Sequence, residues 1–192
     1  MEYHKLSAED IENLRGMIAD PERFITEVTE HWDHDQFKTV RAMPDLVIQP
    51  TTAEEVASVL KYASDHEIAL TPRGNSTGLM GANLTVHGGI SLDMVKMNKV
   101  IDYDPASLTI TVQPGIRLNQ LEEFLADKPF TYMPAPAMHW ATVAGNISTN
   151  AGGMRAVKYG VTRDYVRALT VVLPTGEVVE FGGKTVDRKS VV

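Results

Sequence analysis

A strand–helix–strand unit over residues 46–71 limits the folds open to this chain. Residues 46–48, Leu-Val-Ile, form a short apolar run that predicts a strand. Residues 52–55, Thr-Ala-Glu-Glu, have the pattern of a capping box. The apolar residues that follow share one helical face and predict a helix ending near residue 66: Val56, Val59, Leu60 and Ala63. A second strand is predicted at 68–71, so the unit favours a parallel strand pair with a right-handed crossover.

The rest of the chain predicts further strands and helices of an α+β fold. A third strand is expected at 90–94, and Leu108, Ile110 and Val112 alternate with polar residues as in a half-buried strand. Residues 168–173 and 177–181 predict a hairpin across Pro-Thr-Gly. The predicted elements of the first half of the chain are typical of an α/β arrangement, and those of the second half are typical of antiparallel strands. We therefore predict two subdomains, 1–104 with N-terminal helices and 105–192.

Charge and cysteine content exclude several function classes. The chain has 192 residues with a formal net charge of −7, so it lacks the positive field that nonspecific nucleic-acid binding uses. It has no cysteine, which excludes disulfides, cysteine-ligated clusters and thiol catalysis within the chain. No apolar signal core follows the N-terminus, and no stretch approaches a membrane span. A cytoplasmic location is expected.

A glycine-rich loop, residues 71–81, follows the second predicted strand directly. Small residues let the backbone approach a ligand closely and present several N–H groups to one anion, and the Ser76 and Thr77 hydroxyls add donors. No Lys follows Gly78 or Gly81, so the Walker pattern is absent, and the glycine spacing differs from the dinucleotide fingerprint. The loop therefore indicates a pyrophosphate site. A glycine-rich turn without a ligand is the alternative.

A second glycine-rich element lies at residues 142–153, with three glycines and two asparagines. Thr142 is predicted to cap a short helix whose N-terminal N–H groups face an anion or a polar ring edge. The alternative is a tight helix–sheet contact that needs small residues.

Two histidine-containing stretches contain side chains that could bind a metal or transfer a proton. Residues 31–35, His-Trp-Asp-His-Asp, contain the ligand types of a metal site, but we expect this stretch to be polar, exposed and without a further ligand. No metal site is predicted. His139 precedes the second glycine-rich element and has the chemistry of a general base, although a packing or hydrogen-bonding role is favoured.

Four linked motifs resemble one known family. They are Pro72-Arg73-Gly74-x-x-Thr77-Gly78-Leu79-x-Gly81, Val112-Gln113-Pro114-Gly115, Gly145-Asn146-x-x-x-Asn150-Ala151-Gly152-Gly153 and Lys158-Tyr159-Gly160. In order and spacing they are similar to the FAD-linked oxidases of the vanillyl-alcohol oxidase (PCMH-type) superfamily, in the D-lactate dehydrogenase and glycolate oxidase flavoprotein branch. The similarity covers roughly residues 40–185, and four linked motifs are more specific than one loop.

The resemblance implies an FAD domain of two α/β subdomains, incomplete at its C-terminus, with the cofactor between them. It implies that the first loop holds the pyrophosphate, through Arg73, Gly74, Asn75, Ser76, Thr77, Gly78 and Leu79. It implies that the second element lies along the flavin, through Pro134, Thr142, Gly145, Asn146, Thr149 and Gly152. Relatives with covalent flavin carry a His where this chain has Thr77, so noncovalent FAD is expected.

The implied activity is oxidation of a small 2-hydroxy acid, resembling lactate or glycolate, by hydride transfer to FAD, with electrons passing to an unspecified acceptor. The family continues beyond the equivalent of Val192, so the chain is expected to be an N-terminal fragment that is not catalytically complete. Catalytic and substrate residues are therefore not assigned. The alternatives are an electron-transfer FAD domain like that of molybdenum hydroxylases and a noncatalytic FAD-binding module.

Overall fold

The computed structural model describes residues 3–134 and 136–183. Two compact units can be distinguished in it. The first comprises the described part of residues 1–97 together with 172–178, and the second the described part of 98–171 and 179–192. The glycine-rich loop lies in the first unit and the second glycine-rich element in the second.

A four-stranded sheet forms the centre of the first unit. Its strands are β1 (Phe24–Ile25), β2 (Leu46–Ile48), β3 (Leu70–Arg73) and β4 (Ile90–Asp93), in the order β1-β2-β4-β3. β2 and β3 both run parallel to β4, and β1 is antiparallel to β2. The predicted strands at 46–48 and 90–94 are confirmed. The predicted parallel pair is corrected, because β4 lies between β2 and β3, and β3 begins at Leu70 rather than at residue 68.

The two faces of this sheet differ in chemistry because side chains alternate along each strand. One face carries Leu46, Ile48, Ile90 and Leu92, which are buried in the main hydrophobic core. In β3 and β4 the opposite face carries polar residues, including Arg73, Ser91 and Asp93, all buried. The glycine-rich loop therefore leaves the sheet from a strand whose last side chain, Arg73, belongs to a buried polar layer.

Two helices cover the apolar face. They are α1 (Ala8–Arg15) and α2 (Ala53–Asp65), and they contribute Leu14, Val56, Val59 and Ala63 to the core. The confirmed helix α2 is capped by Thr52, whose Oγ1 accepts from the Glu55 N–H at 3.2 Å. The predicted capping box is only half formed. The Glu55 carboxylate instead accepts from the Thr51 N–H at 2.7 Å and also pairs with Arg23.

A buried ion pair links α2 to the segment before β1. The Arg23 guanidinium donates to both Glu55 oxygens, at 2.7 and 2.8 Å, and to the Gln49 carbonyl at 3.0 Å. The two side chains are only 11% and 13% exposed. The guanidinium lowers the pKa of Glu55 from 4.5 to about 2.

The second unit contains short elements only. Two antiparallel strands, β5 (Val100–Asp104) and β6 (Thr109–Val112), are followed by α3 (Leu118–Leu125), α4 (Val143–Thr149) and α5 (Ala156–Tyr159). The predicted half-buried strand at 108–112 is confirmed as β6. The predicted hairpin is also confirmed and pairs β7 (Ala168–Val172) with β8 (Val178–Gly182). Val172 and Val178 belong to the first unit and the remaining strand residues to the second. Short 3₁₀ turns lie at Pro21–Arg23, Glu30–Trp32, Met94–Lys96 and Thr162–Tyr165.

In residues 3–134 and 136–183, no helix has both the length and the apolar character needed to cross a bilayer. The longest helix in this part of the chain, α2, has 13 residues.

Candidate FAD site

Residues 71–73 of the glycine-rich loop belong to β3, and residues 74–81 have no regular secondary structure. Ser76 has a φ of +54° and Gly81 a φ of +70°, so both residues adopt the left-handed conformation. Gly78 is exposed, and a Cβ built on it meets no heavy atom within 4 Å. An irregular backbone with exposed small residues is the arrangement in which N–H groups turn toward an anion. The first element is therefore open to a ligand at Gly78.

Arg73 is the first of the predicted pyrophosphate residues, and its side chain is already hydrogen-bonded within the protein. Its side chain is buried, and its guanidinium donates to the backbone carbonyls of His31 (2.8 Å), Trp32 (3.3 Å) and His34 (3.4 Å). Burial lowers its pKa from the usual value, although the nearby Asp93 and Asp33 oppose that shift. The visible role of Arg73 is to hold the 31–34 backbone beside the loop. Direct contact between Arg73 and a cofactor stays a prediction.

The remaining loop residues differ in exposure. Gly74, Asn75, Ser76 and Thr77 are half-buried, and Leu79 is exposed. The Ser76 hydroxyl accepts from Asn83 Nδ2 at 3.2 Å and keeps its own proton for a further acceptor. The loop thus offers backbone and hydroxyl donors, and its cationic side chain points into the protein.

The second element forms α4, capped by Thr142 as predicted, but its first N–H groups are already used. Thr142 Oγ1 accepts from the Gly145 N–H at 3.3 Å. The Val143 N–H donates to the Ile116 carbonyl at 2.9 Å and the Ala144 N–H to the Pro114 carbonyl at 3.1 Å. The expectation that these N–H groups face an anion is therefore wrong. The Pro114 and Ile116 carbonyls accept from two of them, which ties α4 to the turn before α3.

Packing explains two of the predicted glycines. A Cβ on Gly145 would lie 2.9 Å from Thr142 Oγ1, and one on Gly152 would lie 3.1 Å from a Val161 methyl group. These positions need small residues whether or not a ligand binds. Of the other predicted residues, Pro134 is buried, and the exposed Thr149 donates its hydroxyl to the Gly145 carbonyl at 2.9 Å.

Asn146 carries the strongest sign of a missing partner in this element. Its side chain is 4% exposed, and its Nδ2 is buried without a hydrogen-bond partner among the described residues. A buried amide group without a partner costs roughly 1–3 kcal/mol, so such groups are rare in native proteins. A ligand that presents acceptor atoms here, as the polar edge of a flavin ring does, would remove that cost. The second element therefore fits FAD through Asn146.

We expect Asn146→Leu to weaken FAD binding about tenfold, the effect of one lost hydrogen bond. Without FAD the same variant should be as stable as the wild-type protein or more stable, because Leu removes an unsatisfied polar group and keeps the branched shape of the side chain. FAD titration and urea unfolding measure the two effects. Loss of stability without loss of affinity would show that the amide is satisfied within the protein.

The stretch 31–35 is more buried than its composition suggests. Asp33 and Asp35 are 6% and 4% exposed, so the expectation of an exposed segment is wrong. Asp33 pairs with Arg41 at 3.0 Å and with His34 at 2.8 Å, which lowers the pKa of Asp33 against the effect of burial. No group of three acidic, His or Cys residues arranged for a metal ion occurs in residues 3–134 and 136–183.

Other titratable residues and one open pocket lie outside the two elements. The side chain of His139 is 60% exposed and lies 3.3 Å from Glu122, and Arg155, Arg163 and Arg167 are exposed. An open pocket of about 520 Å³ lies beside the N-terminal segment, where His4, Asp45 and His87 contribute to its lining. None of the predicted cofactor residues lines it, and its lining side chains are mostly exposed.

Two residues that support the loop were missed at the level of sequence. The Gly81 N–H donates to Asp35 Oδ2 at 3.0 Å, and Asn83 Nδ2 donates to Ser76 Oγ and to the His34 carbonyl. Asp35 stood among the candidate metal ligands, and Asn83 follows the loop without belonging to any motif. The pattern gave no signal for either, because their contacts with the 31–35 stretch and the loop join residues up to 49 positions apart.

Comparison with known proteins gives the family. The FAD binding domain family matches residues 44–182. The chain is 42% identical over 192 residues to a D-lactate dehydrogenase of Anaerostipes hadrus, covering 98% of this chain and 40% of the relative. It is 36% identical over 178 residues to the glycolate oxidase subunit GlcD of Bacillus subtilis, covering 91% and 38%. The chain therefore spans about two fifths of the length of these relatives.

Solved structures support the same fold. An alkyldihydroxyacetonephosphate synthase aligns with a TM-score of 0.80 at 25% identity, covering 93% of this chain and 39% of that one. A p-cresol methylhydroxylase aligns with a TM-score of 0.73 at 22% identity, covering 88% and 34%. The predicted α+β, PCMH-type fold and the predicted FAD cofactor are confirmed. The chain belongs to the FAD-binding domain family of FAD-linked oxidoreductases related to D-lactate dehydrogenase and glycolate oxidase.

Proposed function

We propose that this chain is the FAD-binding part of an oxidoreductase that oxidises a small 2-hydroxy acid such as lactate or glycolate. The observation that carries the proposal is the pair of glycine-rich elements, one open at Gly78 and the other holding the unpartnered Asn146 amide. Relatives named D-lactate dehydrogenase, glycolate oxidase subunit and D-2-hydroxyglutarate dehydrogenase support the substrate class. When bound, FAD supplies the hydride acceptor.

The residues of this chain bind and orient the cofactor in this proposal. Backbone N–H groups of Gly74 to Leu79 and the Ser76 and Thr77 hydroxyls hold the pyrophosphate. Asn146 donates to the polar edge of the flavin, and Pro134, Thr142 and Thr149 shape the surface along it. Substrate and proton-transfer residues are not assigned within these 192 residues. The division into subdomains 1–104 and 105–192 and the cytoplasmic location stay predictions.

The test of the substrate class is anaerobic reduction of the flavin in the FAD-loaded protein. Addition of D-lactate, glycolate or D-2-hydroxyglutarate to a protein that contains this chain and the remainder typical of its relatives should bleach the flavin absorbance. A simple carboxylic acid without the 2-hydroxyl, such as propionate, is the control. A flavin that stays oxidised with every hydroxy acid, but is reduced by a partner protein, would overturn the proposal in favour of an electron-transfer domain.

We expect the FAD to be noncovalent, because Thr77 stands where the covalent relatives carry His and the chain has no cysteine. Acid precipitation of the FAD-loaded protein should leave all flavin absorbance in the supernatant. Flavin that sediments with the denatured protein would contradict this expectation.

A further inference from the structure

Residues 31–38, which we name the brace, contact the glycine-rich loop. The brace lies outside residues 44–182, which the family model matches. The Gln36 N–H donates to the Gly78 carbonyl at 3.2 Å. The Gly81 N–H donates to Asp35 Oδ2 at 3.0 Å. The brace therefore holds the loop at its open centre and at its last glycine.

Asp35 is the residue around which the brace is organised. Its carboxylate is buried, and Oδ1 accepts from the Phe37 and Lys38 N–H groups at 2.9 and 3.2 Å. The other oxygen accepts from Gly81. One carboxylate thus fixes its own turn and the far end of the loop through three charge-assisted hydrogen bonds, which are stronger than neutral ones.

Two further side chains join the brace to the loop. The Arg73 guanidinium donates to carbonyls of residues 31, 32 and 34. Asn83 Nδ2 donates to the His34 carbonyl at 3.4 Å and to Ser76 Oγ at 3.2 Å. The brace therefore contacts the start, the middle and the end of the loop.

The negative charge of Asp35 distinguishes an indirect role in FAD binding, through the position of the loop, from direct contact with FAD. A carboxylate near a bound pyrophosphate repels it, so Asp35 opposes FAD binding if proximity is its only effect. Asp35 also takes the Gly81 N–H away from any phosphate oxygen. The net effect of Asp35 on FAD affinity is favourable only if the affinity gained from the loop conformation that Asp35 stabilises exceeds the affinity lost to charge repulsion.

We infer that Asp35 is a positioning residue for FAD, and that the brace holds loop 74–81 in its pyrophosphate-binding conformation. The inference rests on the proposed role of that loop. The two effects of Asp35 have opposite signs, because removal of the charge alone tightens FAD binding and release of the loop weakens it.

The test is Asp35→Asn in the FAD-binding protein. The amide keeps one acceptor oxygen but turns an N–H donor toward backbone N–H groups, so either the Gly81 N–H or the Phe37 and Lys38 N–H groups lose their acceptor. We expect FAD to bind about tenfold more weakly, as for the loss of one hydrogen bond to a charged group. The control Asp65→Asn makes the same charge change at a side chain 53% exposed, and FAD affinity should be unchanged.

A double-mutant cycle with Gly78→Ala separates positioning from general destabilisation. If Asp35 acts through the loop, the combined loss of FAD affinity will differ from the product of the single losses, whereas independent sites combine multiplicatively. Unchanged or tighter FAD binding in Asp35→Asn, or multiplicative losses, would overturn the inference.

Further variants distinguish a failure to fold, an error in the proposed loop and an error in the role of Asp35. If Asp35→Asn does not fold, Asn83→Ala provides the test, with FAD binding about threefold weaker expected for a neutral hydrogen bond and unchanged binding counting against the brace. If Gly78→Val binds FAD normally, the proposed loop itself is wrong. If Gly78→Val loses FAD and Asp35→Asn keeps it, only the role of Asp35 is wrong.

Discussion

Gly78→Val should abolish measurable FAD binding and leave the fold intact. A Cβ at Gly78 meets no protein atom within 4 Å, so the protein has room for the new side chain. That room is the space in which we place the pyrophosphate. Exclusion of the phosphate from two backbone donors costs about 3–6 kcal/mol, roughly a hundredfold to ten-thousandfold in affinity, since each hydrogen bond to a charged group contributes roughly 1.5–3 kcal/mol. Titration with FAD and thermal unfolding without FAD measure the two effects.

Two glycines provide the controls for this variant. Gly183 is also free of neighbours within 4 Å, so Gly183→Val should leave both stability and FAD binding unchanged. Gly81 has a φ of +70°, and a Cβ there would lie 3.3 Å from the Leu84 side chain. Gly81→Val should therefore lower stability as well as affinity. Normal FAD binding by Gly78→Val would remove the loop from the cofactor site.

Arg23→Met should be the most destabilising of the substitutions discussed. It removes the bidentate partner of a Glu55 side chain that is only 13% exposed, and removal of one partner of a buried pair costs about 3–5 kcal/mol. Met preserves most of the aliphatic packing of Arg. The free energy of urea unfolding at pH 7 measures the loss. Lys61→Met, which breaks the exposed pair with Asp65 on the same helix, should cost less than about 1 kcal/mol.

The destabilisation by Arg23→Met should depend on pH. The folded-state pKa of Glu55 is about 2, below its ordinary 4.5. The ion pair therefore stabilises the fold fully above pH 4.5 and loses this contribution as the pH falls from 4.5 toward 2. The difference between wild type and variant should be largest at pH 7 and shrink by pH 3. The double variant Arg23→Met/Glu55→Leu should recover much of the loss. An equal difference at both pH values would contradict the ion-pair account.

Local patterns predicted most elements of the first unit and failed on their arrangement. Apolar runs and helical spacing identified β2, β4 and α2, because each element buries a face that the sequence displays directly. Strand order was not predictable, because the insertion of β4 between β2 and β3 depends on a third strand supplied after the glycine-rich loop. The capping pattern at Thr52 was half right, because the buried Arg23 lies 32 positions from Glu55 and no local pattern reports it.

The candidate site was predictable in its glycine-rich parts and not in its supports. Motif spacing identified the loop and the second element, since small residues are visible in any sequence. The same pattern wrongly predicted free N–H groups at the start of α4, because the Ile116 and Pro114 carbonyls and Thr142 Oγ1 accept from them. It gave no sign that the Arg73 guanidinium binds carbonyls of residues 31, 32 and 34, and contact between Arg73 and the cofactor stays a prediction. Asp35 was misread as part of an exposed cluster, because its burial arises from long-range contacts.

Hydrogen–deuterium exchange with and without FAD tests the central claim most directly. We predict that saturating FAD slows amide exchange at residues 74–80 and 145–152, and leaves the hairpin at 168–182 unchanged. Slower exchange in these two segments would locate the cofactor on both glycine-rich elements. Bound FAD with unchanged exchange at residues 74–80 would contradict the account, because the pyrophosphate would then lie elsewhere.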